Sequence, residues 1–138
     1  MIHFKENFFV NIKIFFETLF QVKWLEKESY IYTLLPRPFK SKKDKKDLVY
    51  SIQKNLNKYH GFINDREEYI VYLTSLGTYG SYQKPNKIYT YMNRPAEEIA
   101  ETIIHEIAHL KIEDGVIKNK LTHDEKEKMV QKTVDSLR

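Results

Sequence analysis

The sequence predicts an α+β domain, with helices packed on a small antiparallel or mixed sheet of about three strands. Apolar residues recur at helical spacing in separate segments near residues 8–20, 48–59, 96–110 and 122–137. Two β-branched and aromatic runs, 69–74 and 87–92, lie between the second and third of these. Gly and Pro number only four each and punctuate the boundaries.

A chain of 138 residues suits one domain and one core. We divide it into an aromatic-rich N-terminal segment (1–35), a basic connector (36–47) and the main core (48–138). The absence of cysteine excludes disulfides, thiolate metal sites and a thiol nucleophile. No apolar run approaches the roughly 18 residues needed to span a bilayer. The N-terminal segment lacks the continuous apolar centre and small-residue cleavage site of a leader, so a cytoplasmic location is expected.

The net charge of +4 comes from 23 Lys and Arg against 19 Asp and Glu, and Arg supplies only four of the 23. Lysine is a solvated point charge and a poor bidentate reader of phosphate or bases. This balance therefore argues for solubility before nucleic-acid binding.

The elements follow in order. Phe8, Ile12, Phe15, Phe16, Leu19 and Phe20 give an amphipathic helix, which either covers the core, lies on a membrane surface or docks on a partner or over a groove. Pro36-Arg37-Pro38 breaks it. The run Lys40-Ser41-Lys42-Lys43-Asp44-Lys45-Lys46 reads as a solvated connector, with phosphate contact as the alternative.

Leu48, Ile52, Leu56 and Tyr59 share one helical stripe, with Gly61 as its stop. Tyr69–Thr74 and Lys87–Met92 read as strands, and the Tyr79 segment can pair with the second as a hairpin around Pro85. Asn93 is a cap candidate for the next helix, Pro95 occupies its first turn and Gly115 marks its end. Thr122-His123-Asp124-Glu125 has the form of a capping box opening a last helix.

The chemistry concentrates in His105-Glu106-Ile107-Ala108-His109. Side chains four apart on a helix lie one turn above each other, so both imidazoles can approach one ion at about 2.0–2.1 Å. Glu106 is rotated by roughly 100° from His105, which sets its carboxylate beside such an ion and not on it. A cation held there would bring the pKa of water from 15.7 to about 7, and Glu106 would act as general base on that water and then return the proton to a leaving amine.

Catalytic zinc usually takes three protein ligands, and nitrogen and oxygen donors suit Zn2+. His123 is the first candidate for the third, because it follows a loop long enough to turn back. Glu127 and Glu125 are the other candidates, and the capping box already uses Glu125. Asp124 and Asp135 are candidate acceptors for ligand N–H groups. The other histidines, His3 and His60, lie in the N-terminal segment and before the strands.

The stretch from Gly77 to Leu137 resembles the SprT-like and related small zincin metallopeptidases. The matching pieces are Gly77-Thr78-Tyr79, Lys87-Ile88-Tyr89, the helix Ile103-Ile104-His105-Glu106-Ile107-Ala108-His109-Leu110, and Thr122-His123-Asp124-Glu125. They cover roughly 60 residues, and only the H-E-x-x-H is sharp. The resemblance implies a zincin-like fold and a zinc-dependent peptidase acting on a protein or peptide. It implies His105, His109 and His123 as ligands and Glu106 as general base. The strand before the helix would then bind substrate by β-addition.

Where the family often places a large aromatic residue a turn after the third His, this chain has Glu127, which makes a two-His, one-Glu site of gluzincin type the alternative. The E-x-x-x-D pattern of many gluzincins is absent, since Gln131 precedes Asp135 by four. The competing functional reading is a latent or inactive zincin-like binding module, with the aromatic N-terminal helix filling the cleft or with nucleic acid bound through Lys40–Lys46.

Overall fold

The computed structural model describes residues 1–5, 42–63, 68–74 and 79–137. The expected helix over 8–20 and its Pro36-Arg37-Pro38 breaker lie outside these residues.

Tyr69–Thr74 forms β2, in which Tyr69, Val71 and Leu73 are buried while Ile70 and Tyr72 between them are only half-buried. Period-2 burial of this kind sends one side of a strand to a core. Lys87–Tyr91 forms β4, parallel to β2, with Val71 opposite Ile88 and Leu73 opposite Thr90. Gly80–Gln83 forms β3, antiparallel to β4 and joined to it by a turn containing a cis Lys84–Pro85 bond. Ile2–Lys5 forms β1, parallel to β2.

Among the described residues the sheet is thus mixed and has four strands in the order β1-β2-β4-β3, where about three are expected from the sequence. The missed strand is β1. Its four residues carry no turn signal and pair with residues more than 60 positions away, so nothing local reveals it.

The sheet order also corrects the reading of the strand before the metal-motif helix. β4 has neighbours on both sides and cannot add another strand. Among the described residues the edges are β1 and β3, and Gly80 and Tyr82 of β3 face the same side as Thr90 and Ile88.

Helix α1, Lys42–Leu56, buries Leu48, Ile52 and Leu56. It begins inside the stretch expected as a connector, so most of that basic run is helical. A 3-10 turn at Asn57–Tyr59 leads into α2, His60–Ile63. Gly61 therefore lies inside a helical turn instead of stopping one, and a Cβ there would meet nothing within 4 Å.

Helix α3, Ala96–Asn119, starts at Pro95, the N-cap residue, with no side-chain cap. Asn93 instead donates to the Tyr91 hydroxyl at 3.3 Å. Gly115 stays helical, and the end comes at Lys120 in the left-handed conformation (φ 52°). The N–H of Leu121 reaches back to the carbonyl of Val116 at 3.1 Å, the pairing of a Schellman-type end. An exposed lysine pays the cost of positive φ here, which is why glycine placement misjudged the boundary.

Helix α4, His123–Asp135, opens on the predicted capping box: Thr122 Oγ1 accepts from Glu125 N, and Glu125 Oε2 accepts from Thr122 N at 2.8 Å.

Ile99, Ala100, Ile103, Ile104, Ile107 and Ala108 of α3 are fully buried, joined by Val130 and Val134 of α4 and by the α1 stripe. Among the described residues no helix is long and apolar enough to cross a membrane. Ile52 is fully buried on α1 and belongs to this core. Ile52→Ala should lower unfolding stability by about 2–5 kcal/mol, measured by urea denaturation, because a cavity adds to the lost burial. A change below about 0.5 kcal/mol would contradict the packing described.

Candidate metal centre

Residues 102, 106, 109 and 113 differ by four, three and four positions, so they share one stripe of α3 beside its apolar stripe. His105 lies one turn before His109. The side chain of His109, under the Tyr82 ring, is 7% exposed and that of His105 32%.

The two imidazoles meet through their Nε2 atoms, 3.1 Å apart. Glu127 reaches them from α4, with Oε1 at 3.3 Å from His109 Nε2 and Oε2 at 3.7 Å from His105 Nε2. Two nitrogens bound at 2.0–2.1 Å in tetrahedral coordination stand about 3.3–3.4 Å apart. The observed separations bracket that value, so His105, His109 and Glu127 form a group that can hold a metal ion.

His123 stands apart from this group. Its side chain is 82% exposed, with Nδ1 at 3.9 Å from Glu127 Oε1. The structure thus brings together the second of the three candidates for the third ligand and leaves out the first. His123 is the first residue of α4, whereas Glu127 lies one turn deeper, where the helix crosses α3. Glu125 is held in the capping box. Asp124 is exposed, and Asp135 accepts from Gln131 at 2.8 Å.

His109 Nδ1 is buried and has no hydrogen-bond partner among the described residues. Burial, opposed by Glu127 and reinforced by His105, lowers the His109 pKa to about 4. The ring is therefore neutral at pH 7, the form that binds a metal.

Glu106 is 7% exposed and does not join the ligand group. Burial first, then the nearby Glu127 charge, pushes its pKa up to about 7, against a small opposing pull from Lys126. Glycine at position 80 makes room for it. A Cβ on Gly80 would lie 2.6 Å from Glu106 Oε1 and 2.4 Å from Thr102 Cγ2.

Beside the ion group, the Tyr82 ring stacks on the His109 ring, with centroids 5.1 Å apart and planes 13° from parallel. The Tyr82 hydroxyl donates to Glu113 Oε2 at 2.6 Å. Lys126 donates to the Tyr82 hydroxyl and pairs with Glu113 Oε2 at 2.9 Å. Those contacts lower the Glu113 pKa, through Tyr82 and then Lys126. Burial and the Glu113 bond raise the Tyr82 phenol. Burial works against the Lys126 charge, but its bonds to Tyr82 and Glu113 outweigh that and raise its pKa.

A cleft of about 390 Å3 opens beside Glu106 and His105, lined also by Tyr79, Gly80, Arg94, Glu98, Glu101 and Thr102. Arg94 is fixed there by Glu98 at 3.1 Å, by Thr102 at 3.0 Å and by the Tyr79 ring at 4.7 Å. From the basic run, Lys45 lines a separate small cavity with Phe4 and Met92.

Sequence reasoning did not find Gly80, Tyr82, Arg94, Glu113 or Lys126. Tyr82 follows Gly80 by two in a strand, which was the one available sign that both face the same helix. A scan of family models and searches of curated proteins and of solved structures find nothing that matches this chain.

Gly80→Ala should cost about 1–3 kcal/mol by overpacking, read by thermal denaturation. Adding Thr102→Ser, which removes the nearer obstructing carbon, should recover part of it. An unchanged midpoint in Gly80→Ala would contradict the close approach.

Proposed function

We propose that the protein is a zinc-dependent metallopeptidase whose ligands are His105, His109 and Glu127 and whose general base is Glu106. The observation that carries this reading is the juxtaposition of a three-donor group with a buried carboxylate that is not part of it, beside a cleft that His105 and Glu106 line. The resemblance to small zincins is consistent with it, in the two-His, one-Glu variant.

A zinc ion in such a group supplies Lewis acidity and makes water ionisable near neutral pH. The chain's own residues do the rest. His105 and His109 offer ring nitrogens, and Glu127 offers a carboxylate. Glu106, buried beside the ligands and outside their group, would take a proton from the attacking water at its carboxylate and pass it to the leaving amine.

Among the described residues β3 is an edge strand whose Gly80 lines the cleft, where an extended peptide can add as a further strand. This moves the β-addition expected of the strand before α3 to β3. A cytoplasmic location and Lys40–Lys46 contact with nucleic acid are separate proposals resting on the sequence alone.

Purified protein should carry about one zinc per chain by elemental analysis, and His109→Ala should carry almost none. Glu127→Ala should weaken zinc binding at least tenfold, while His123→Ala should leave it within about twofold. The reverse order would return the third ligand to His123. Glu106→Gln should retain zinc and lose about 10²–10⁴-fold in peptide hydrolysis. Zinc-loaded wild-type protein that cleaves no member of a diverse peptide library would favour the latent binding module instead.

A further inference from the structure

Metal-bound histidines usually have their second ring nitrogen held by a carboxylate or carbonyl, which fixes the ring. His109 has no such partner among the described residues. Packing must orient it, and among the described residues the Tyr82 ring stacks face to face on it.

The same tyrosine acts on the ligand that comes from α4. Its hydroxyl is joined to Lys126, the residue before Glu127, and to Glu113 near the far end of α3. Lys126 and Glu113 are themselves paired at 2.9 Å, and their side chains are only 16% and 18% exposed. This tie closes β3, α3 and α4 around one point. Lys84 of the following turn adds a second link from the β3 side to Asp114.

We infer that Tyr82 is a positioning residue for the metal group, orienting His109 through its ring and Glu127 through its hydroxyl tie to Glu113 and Lys126. The inference rests on the metal-site reading above. It assigns to edge strand β3 a part in metal affinity as well as in substrate docking, so the two are coupled through one side chain.

Zinc affinity measured against a chromophoric chelator tests this, together with the visible absorption bands of the Co2+-substituted protein. Tyr82→Phe keeps the ring and loses the hydroxyl, and should bind zinc about tenfold more weakly. Tyr82→Leu loses both and should bind about 100-fold more weakly. Glu113→Gln should resemble Tyr82→Phe. The cobalt bands should shift in all three, whereas a purely structural role would lower the metal-free melting temperature and leave the bands of the folded protein unchanged.

Folded variants with wild-type zinc affinity and wild-type bands would overturn the role of Tyr82 while leaving the metal site standing. Wild-type protein that binds no zinc would overturn both. If Tyr82→Leu does not fold, Tyr82→Phe and Glu113→Gln decide the matter by the same criteria.

Discussion

The rotational phase of α3 against the sheet is the constraint on which the rest depends. Its apolar stripe, from Ile99 to Ala108, is fully buried, and that burial fixes the helix about its axis. Once it is fixed, the neighbouring stripe of Thr102, Glu106, His109 and Glu113 has only one place to go, along the side of β3 that carries Gly80 and Tyr82. Strand periodicity and helix periodicity then select the pairs. Gly80 lies against Thr102 and Glu106, and Tyr82, two residues on, lies against His109 and Glu113. A one-residue slip of β3 would turn Ser81 toward the helix and lose both contacts at once.

Legibility in the sequence followed the range of each interaction. Helix α3, the H-E-x-x-H spacing on it and the capping box of α4 are set by residues within four positions of one another, and the sequence displays them directly. The strands β2 and β4 were readable from composition, but their neighbours were not. Sheet order is decided by contacts between distant segments, so composition reveals neither β1 nor the two neighbours of β4. The helix ends illustrate a different failure. Gly61 and Gly115 have no crowding near a Cβ and no positive φ, so their glycine identity carries no boundary information. Lys120 takes the left-handed turn that was expected of a glycine.

The third donor falls between these cases. His123 and Glu127 are four apart on α4, and spacing alone cannot choose between them. The crossing of α4 over α3 chooses, because it lays the second turn of α4, not the first, beside His109. Lys126 is held by Tyr82 and Glu113 at that crossing, and its neighbour Glu127 is thereby carried to the imidazoles. No motif records this, since the holding residues come from three separate elements.

The charge pattern of the group points the same way as its geometry. A second carboxylate, Glu106, is buried close enough to Glu127 for that charge to oppose its ionisation. One imidazole also has a buried nitrogen without a partner among the described residues. Each of these costs free energy in a site whose only task is to hold the fold together, because apolar residues of similar size would avoid the desolvation. A divalent cation held by the imidazoles and Glu127 would offset these costs, since its charge would compensate both carboxylates. Arrangements that are unfavourable until a ligand arrives are typical of functional sites. In this fold the unfavourable groups converge on one point, and the core beneath α3 supplies the stability that offsets them.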